Sequence, residues 1–480
     1  MGIASRARQQ VQESNPRKRP KSLKIHVHFS PSTISKLPNR PQEKKEIMNF
    51  TLNVNPNPNP RLFPCSLNKK SLMLAVSSSS LRCYSSLPHQ PLRNLLLQNV
   101  SKDSRMHIDI FDEVGIGGGA SGVAGGLIHP YSPKAKLLWR GAECWQECNK
   151  LLNIAEGAAA SGKPEVVDKD LDHELGDVIV WRRGILRPAT TLKNVDILNE
   201  NAQNCIGSCS IETMDEDAAQ NLVPNICVPF NSAIYMPQAV NIHPQRYLQA
   251  LFVACENLVS DLTALGSEGN KICFHKKSVN SLVELAGEYN AAIICLGAKS
   301  DMLSELSGRL PLRTCRGVVA HLQLSEDTRD EYGTQSPSIL SGAWLAAQGP
   351  RNLVMGSTWE WKSRNYSSNV CAEEASKALE ELLPKASSVF PSIKNWKFTS
   401  ARAGLRAMPP LTPLGSIPLL GCVDDAVNGN HRCKYWVFTG LGARGLLYHG
   451  WLGKLMSQAV ISCNEDVLPP ELTSWRKILR

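Results

Sequence analysis

Apolar and polar positions along the chain switch between the strand period of two and the helical period near 3.6, and the switches mark out the elements. Ile108-Asp-Ile-Phe-Asp-Glu113 is a short apolar strand ending in carboxylates. Leu138, Ala142, Trp145, Cys148 and Leu152 share one face of a helix predicted over 135–152. Val178–Trp181 and Ile185–Pro188 predict a hairpin with Arg183-Gly184 at its turn. Pro244 opens a helix whose Tyr247, Leu248, Leu251, Phe252 and Cys255 face inward. The run Ala291-Ala-Ile-Ile-Cys-Leu296 is apolar throughout and bounded by Gly297, which predicts a central parallel strand buried on both faces. Further on, Arg316–Leu322, Trp344, Val354–Gly356 and Trp359–Trp361 predict an antiparallel sheet with the tryptophans in its core, and Ala372–Leu383 a helix against it. Tyr435–Thr439, the glycines at 440, 442 and 445, and the apolar run to about Ala459 predict a strand, a tight loop and a helix.

The glycine run after Glu113 changes this picture most. Gly117, Gly119 and Gly122 satisfy Gly-x-Gly-x-x-Gly, but that dinucleotide fingerprint needs a helix directly after it, because the helix N-terminus holds the pyrophosphate. Gly125, Gly126, Pro130 and Pro133 follow instead, and these residues end helices. The run is therefore expected to be a loop with its backbone against a flat cofactor. Ile108–Glu113 then becomes the second strand of a Rossmann unit, with Glu113 placed to accept hydrogen bonds from a ribose.

Charge is unevenly spread. The net charge of +10 invites a nucleic-acid reading, but residues 1–102 hold 17 Lys and Arg against three acids, and the remainder carries 36 bases against 40 acids. The body is mildly acidic, which argues against a phosphate-backbone partner. Between Ile47 and Lys102 there is no Asp or Glu, and Ser77–Ser80, Arg82, Ser85 and Ser86 give a hydroxylated basic texture. That texture reads as an organelle transit peptide, for the chloroplast first and the mitochondrion second, within a disordered tail over 1–91. No apolar run reaches the ~18 residues that cross a bilayer. Fifteen cysteines include no Cys-x-x-Cys pair and none with zinc spacing, so buried reduced thiols and no metal site are expected.

Asp112-Glu-Val-Gly-Ile-Gly-Gly-Gly-Ala-Ser-Gly-Val-Ala-Gly-Gly-Leu-Ile-His-Pro130 resembles the segment after the second strand in FAD-dependent amine oxidoreductases of the D-amino-acid oxidase superfamily. Members include glycine and sarcosine oxidases and the FAD domain of the bacterial enzyme that processes carboxymethylaminomethyl-uridine in tRNA. Gly297-Ala298, Arg316-Gly317 and Ala401–Gly415 with Gly440–Leu447 recur in the order the superfamily uses, so the resemblance runs from about residue 92 to the C-terminus. It implies an α/β fold, with a Rossmann-like FAD-binding domain over 92–175, 235–310 and 401–480. An α+β antiparallel-sheet substrate domain would be inserted over 176–234 and 311–400.

The resemblance implies FAD contacts at Glu113, Ala120, Ser121, Gly122, Gly126, Leu127, Gly297, Ala298, Gly442, Gly445 and Leu446. It implies Arg406 and Arg444 as carboxylate anchors and His129 at the flavin face. The substrate class it implies is a small amino acid or secondary amine, with O2 or another acceptor taking the electrons. Two departures stand out. The usual acidic residue before Pro413-Leu-Gly415 is absent from Met408–Thr412, and no glycine occurs between Gly2 and Gly115. The opening strand and its glycine loop are thus expected to be missing, with Leu95–Val100 as the end of the first helix. Two alternatives follow: an impaired form without a pyrophosphate loop, and tRNA wobble-uridine chemistry.

Overall fold

Burial on both faces puts the apolar run near residue 291 inside a sheet. In the computed structural model, which describes residues 71–75, 106–161, 178–264, 269–324, 332–333, 335–349, 351–426 and 433–478, Tyr289–Ile294 is an inner strand of six. The order is 419–422, 434–439, 289–294, 71–75, 107–111, 271–275, parallel throughout except for the first, which runs antiparallel to its neighbour. Ile108, Ile110, Ile293, Trp436 and Phe438 pack one face of this sheet against the helices Gly141–Ala160, Pro244–Ala264 and Gly445–Ser462. Ala292, Ile294, Tyr435 and Val437 pack the other against Leu282, Leu303 and Trp475.

Ser71–Ala75 overturns one expectation. It lies between Tyr289–Ile294 and His107–Phe111, parallel to both, which is the place of the first strand of a Rossmann unit. The strand is present, and Ser77–Ser80 follow it in sequence in place of the glycines that usually punctuate such a strand. From this strand the chain moves to 107–111 on one side and to 289–294 on the other. A topological switch point of that kind opens a crevice at the carboxyl ends of the strands. The expected helix end at Leu95–Val100 lies outside the described residues.

A second sheet of nine strands carries the rest. One end of it is the long pair Trp396–Met408 and Arg313–Leu324, antiparallel along their length, and from Arg313–Leu324 the sheet continues through 352–356, 344–347, 338–339, 185–188, 233–236 and 212–214. The segment expected to return to the cofactor domain at 401 stays in this sheet as far as Met408. Leu382 and Ala386 of the helix Ala372–Ser387 pack on it with Leu322, Leu345 and Met355.

Local differences from the sequence reading have local causes. Gly184 adopts φ +74°, and a Cβ there would stand 2.4 Å from the Tyr235 ring, so the chain turns away. Val180–Trp181 then pairs with Val240–Ile242 in a separate small sheet while Ile185–Pro188 joins the large one, and no hairpin forms. The helix expected from Ala135 begins only at Gly141, because Ala135 and Arg140 both take positive φ. No helix among the described residues is long and apolar enough to cross a membrane.

Candidate active site

The crevice at the strand ends is a cleft of about 400 Å³ between the two sheets. Four segments distant in sequence converge on it: the glycine run from Gly119 to His129, the turn Cys295–Lys299, the stretch Gly404–Ala407 and the loop Phe438–Leu447. The glycine run is a loop without helix, as its composition predicts. Its compactness needs absent side chains. A Cβ on Gly122 would stand 1.9 Å from the Gly117 carbonyl, and one on Gly126, at φ +82°, would stand 2.0 Å from the Ile242 carbonyl.

Of the residues named from sequence, the cleft is lined by Ala120, Ser121, Gly126, Leu127, His129, Gly297, Ala298, Arg406, Gly442, Arg444, Gly445 and Leu446. Gly122 and Glu113 are not in the lining. Glu113 is exposed, pairs with the Lys299 ammonium and accepts from Ser278 Oγ at 2.9 Å; the Lys299 pairing holds its carboxyl below the usual carboxylate range.

The neighbouring Asp112 fits the polar end of a dinucleotide better. It is buried, its Oδ1 accepts from the backbone N–H groups of Val114 (2.9 Å) and Gly115 (2.8 Å), and its Oδ2 is buried with no partner among the described residues. Burial raises its pKa to about 6. The signal was legible as Asp112-Glu-Val-Gly115, in which an aspartate closes a turn on the next backbone donors.

Electrostatics identify the occupant's sign. The lining contains no Asp or Glu but holds Arg187, Lys299, Arg406 and Arg444. Arg406 projects from Trp396–Met408, donates to Ser357 Oγ at 2.6 Å and lies 4.4 Å above the Trp359 ring. It has no carboxylate partner among the described residues, and burial lowers its pKa. Gly317 makes the room: a Cβ there would stand 1.9 Å from Arg406 Nη2. Trp359 and Trp361 are 47% and 45% exposed, stacked on one another at 5.9 Å, and not the core residues their pattern predicted. Trp344 is half-buried and lines the cleft instead.

His129 is buried and kept neutral, first by desolvation and then by Arg444 and Arg187. Its Nδ1 faces the Tyr131 N–H at 3.3 Å and its Nε2 faces Arg444 Nη1 at 3.3 Å. A neutral imidazole has one acceptor nitrogen, so it satisfies only one of these two donors. Arg187, whose pKa falls to about 10 through burial and Arg444, was missed in the sequence, because nothing in Ile185–Pro188 separates it from an ordinary strand residue.

These features suit FAD: at the flavin end, backbone turns without side chains, a helix N-terminus at Gly445 and basic side chains in the lining, and outside that cleft the unpartnered buried Asp112 Oδ2 for a ribose hydroxyl. In sequence, Val76 and Ser77–Ser80 follow the strand Ser71–Ala75, where the dinucleotide fingerprint carries glycines.

Known proteins agree with this geometry. The family model for the DAO FAD-dependent oxidoreductases matches residues 101–459. Among solved structures, glycine oxidase from Geobacillus kaustophilus aligns with a TM-score of 0.59 at 16% identity, covering 84% of this chain and 98% of its own. L-proline dehydrogenase from P. horikoshii gives 0.59 at 13% identity, covering 86% and 99%. Iminodiacetate oxidase from Chelativorans sp. BNC1 gives 0.54 at 16% identity, covering 84% and 98%. At such identities the likeness is one of fold. No curated protein matches the sequence. With three quarters of its length matched by the family model, the chain belongs to the DAO family of FAD-dependent oxidoreductases, and FAD is its cofactor.

Proposed function

We propose that this enzyme oxidises the C–N bond of a small amino acid or secondary amine that carries a carboxylate. The observation that carries this reading is Arg406: a guanidinium lining the cleft with no acidic partner among the described residues, in the same cavity as the turns at 297 and 442–446. The glycine oxidase, iminodiacetate oxidase and proline dehydrogenase that share the fold are named for substrates of this kind.

Each polar group then has a task. The Ser357 hydroxyl and the Thr358 carbonyl accept from Nη2, the Cys315 sulfur lies 3.7 Å from Nη1 and the Trp359 ring covers one face, so Arg406 is held in place to attract the substrate carboxylate. Arg187 and Arg444 bring further positive charge that no lining acid offsets, while Lys299 is paired with Glu113. Like charge disfavours an ammonium, so the cleft favours the free amine that oxidation requires. Bound FAD supplies the two-electron acceptor. Loss of a hydride from carbon and a proton from nitrogen leaves an imine, and water hydrolyses it to a carbonyl compound and an amine. Oxygen or another acceptor takes the electrons onward.

The test is Arg406→Gln beside Arg406→Lys. Charged hydrogen bonds of this type contribute about 1.5–3 kcal/mol, so Arg406→Gln should raise KM for a carboxylate substrate by roughly ten- to a hundredfold with flavin content unchanged. An unchanged KM would remove the carboxylate from the substrate.

A further inference from the structure

We propose that His107, Asp109 and Cys273 form a binding site for a divalent transition metal of the zinc class, with His275 and Tyr289 orienting the aspartate. The register of two neighbouring strands makes the cluster. His107–Phe111 and Lys271–His275 run parallel with Asp109 opposite Cys273 and Phe111 opposite His275. Odd-numbered positions of both strands share one face of the sheet. Ile108 and Ile110 belong to the core on the other face, where Phe274 meets Phe252 of the helix Pro244–Ala264.

The donor atoms of His107, Asp109 and Cys273 all lie within 4.8 Å of one another. Around a tetrahedral zinc, nitrogen, oxygen and sulfur ligands stand roughly 3.3–3.8 Å apart, so rotations that close the cluster by about 1 Å complete the geometry. The mixture of imidazole, carboxylate and thiolate suits zinc, cobalt or nickel and not calcium or magnesium.

The surroundings are those of a ligand set held in place. Asp109 is buried at 6% exposure; His275 Nε2 lies 2.6 Å from its Oδ1, and the Tyr289 hydroxyl donates to Oδ2 at 3.2 Å. Such outer partners fix the lone pairs a metal uses. None of the five residues lines the active-site cleft, so the site is separate from the oxidative chemistry. A metal here would tie the edge strand Lys271–His275 to its neighbour. Spacing motifs cannot reveal it, because Asp109 and His275 stand 166 residues apart.

The test uses the full chain, stripped with chelator and titrated with Co2+, then displaced by Zn2+, followed by difference absorbance and equilibrium dialysis. The proposal expects one metal per chain, tetrahedral cobalt bands and a thiolate-to-cobalt charge-transfer band that Cys273→Ser abolishes. His107→Asn should weaken Zn2+ by at least about tenfold, and Tyr289→Phe, which keeps the core ring, by about tenfold. Absence of stoichiometric binding would overturn the site. So would cobalt spectra that are octahedral, or that are unchanged in both Cys273→Ser and His107→Asn.

Discussion

Gly317 and Arg406 are diagonal neighbours on adjacent antiparallel strands, and a Cβ on Gly317 would lie 1.9 Å from Arg406 Nη2. The glycine is a moulded space for the guanidinium. Gly317→Ala should therefore push Arg406 off Ser357 and Trp359. The expected result is a KM for carboxylate substrates raised by about tenfold or more, with folding and flavin content retained. Steady-state kinetics with an amine lacking a carboxylate is the control, and its KM should not move.

Asp112 carries a pKa raised to about 6 by burial, so its ionised form is a cost to the folded protein. The sign follows from the direction: the stabilisation is full below the ordinary carboxylate pKa and is lost as pH rises through about 6. Asp112→Asn should thus raise the stability of the flavin-free protein at pH 8, by up to about 3 kcal/mol from a shift of about two pH units. The same change removes the unpartnered Oδ2 as an acceptor for a ribose hydroxyl and should weaken FAD binding by about tenfold or more. Thermal melts with and without FAD separate the two effects.

His243 accepts from the Arg246 N–H at 3.3 Å on Nδ1 and so caps the helix that begins at Pro244. Burial lowers its pKa to about 4. The unfolded chain takes up a proton near pH 6.5 where the folded chain does not, so stability falls as pH drops from about 6.5 through 4. The loss attributable to His243 is at most about 3 kcal/mol. Denaturant titrations of His243→Asn, which keeps an acceptor cap, should show a shallower acid slope.

The strand Ser71–Ala75 constrains any leader that is removed. It pairs on both sides, and without it Tyr289–Ile294 and His107–Phe111 each lose a parallel ladder. A chain beginning at residue 65 should fold and hold FAD, whereas one beginning at residue 85 should precipitate or lack flavin. If a leader is removed, its end should lie ahead of Ser71; N-terminal sequencing of the protein purified from its source checks it.

How much of this was legible follows from what each signal depends on. The strands at 108, 291 and 435 and the helices at 244 and 445 show in the sequence because burial on two faces or one imposes its period directly. The convergence of Ser121, Gly297 and Gly442 on one cleft was readable because close backbone approach demands residues without bulk. Ser71–Ala75 was not, since five residues beside a serine run carry no period, and its place is fixed only by the ladders either side. Glu113 drew the assignment that Asp112 fits better, because adjacent carboxylates differ only in which one the turn buries. Trp359 and Trp361 read as core from their bulk, yet they are half-exposed beside Arg406 and Arg313. Arg187 lines the cleft from the strand Ile185–Pro188 of the second sheet, a placement set by tertiary pairing that no local pattern encodes.

The most direct test of the central claim is anaerobic mixing of the purified, flavin-loaded chain with glycine, sarcosine, iminodiacetate or L-proline while the visible flavin band is followed. The account predicts that at least one of these bleaches the band, and that Arg406→Gln raises the concentration needed by roughly ten- to a hundredfold. A flavin that stays oxidised with every amine carboxylate, yet is reduced by a substrate without a carboxylate equally well in Arg406→Gln, would contradict it.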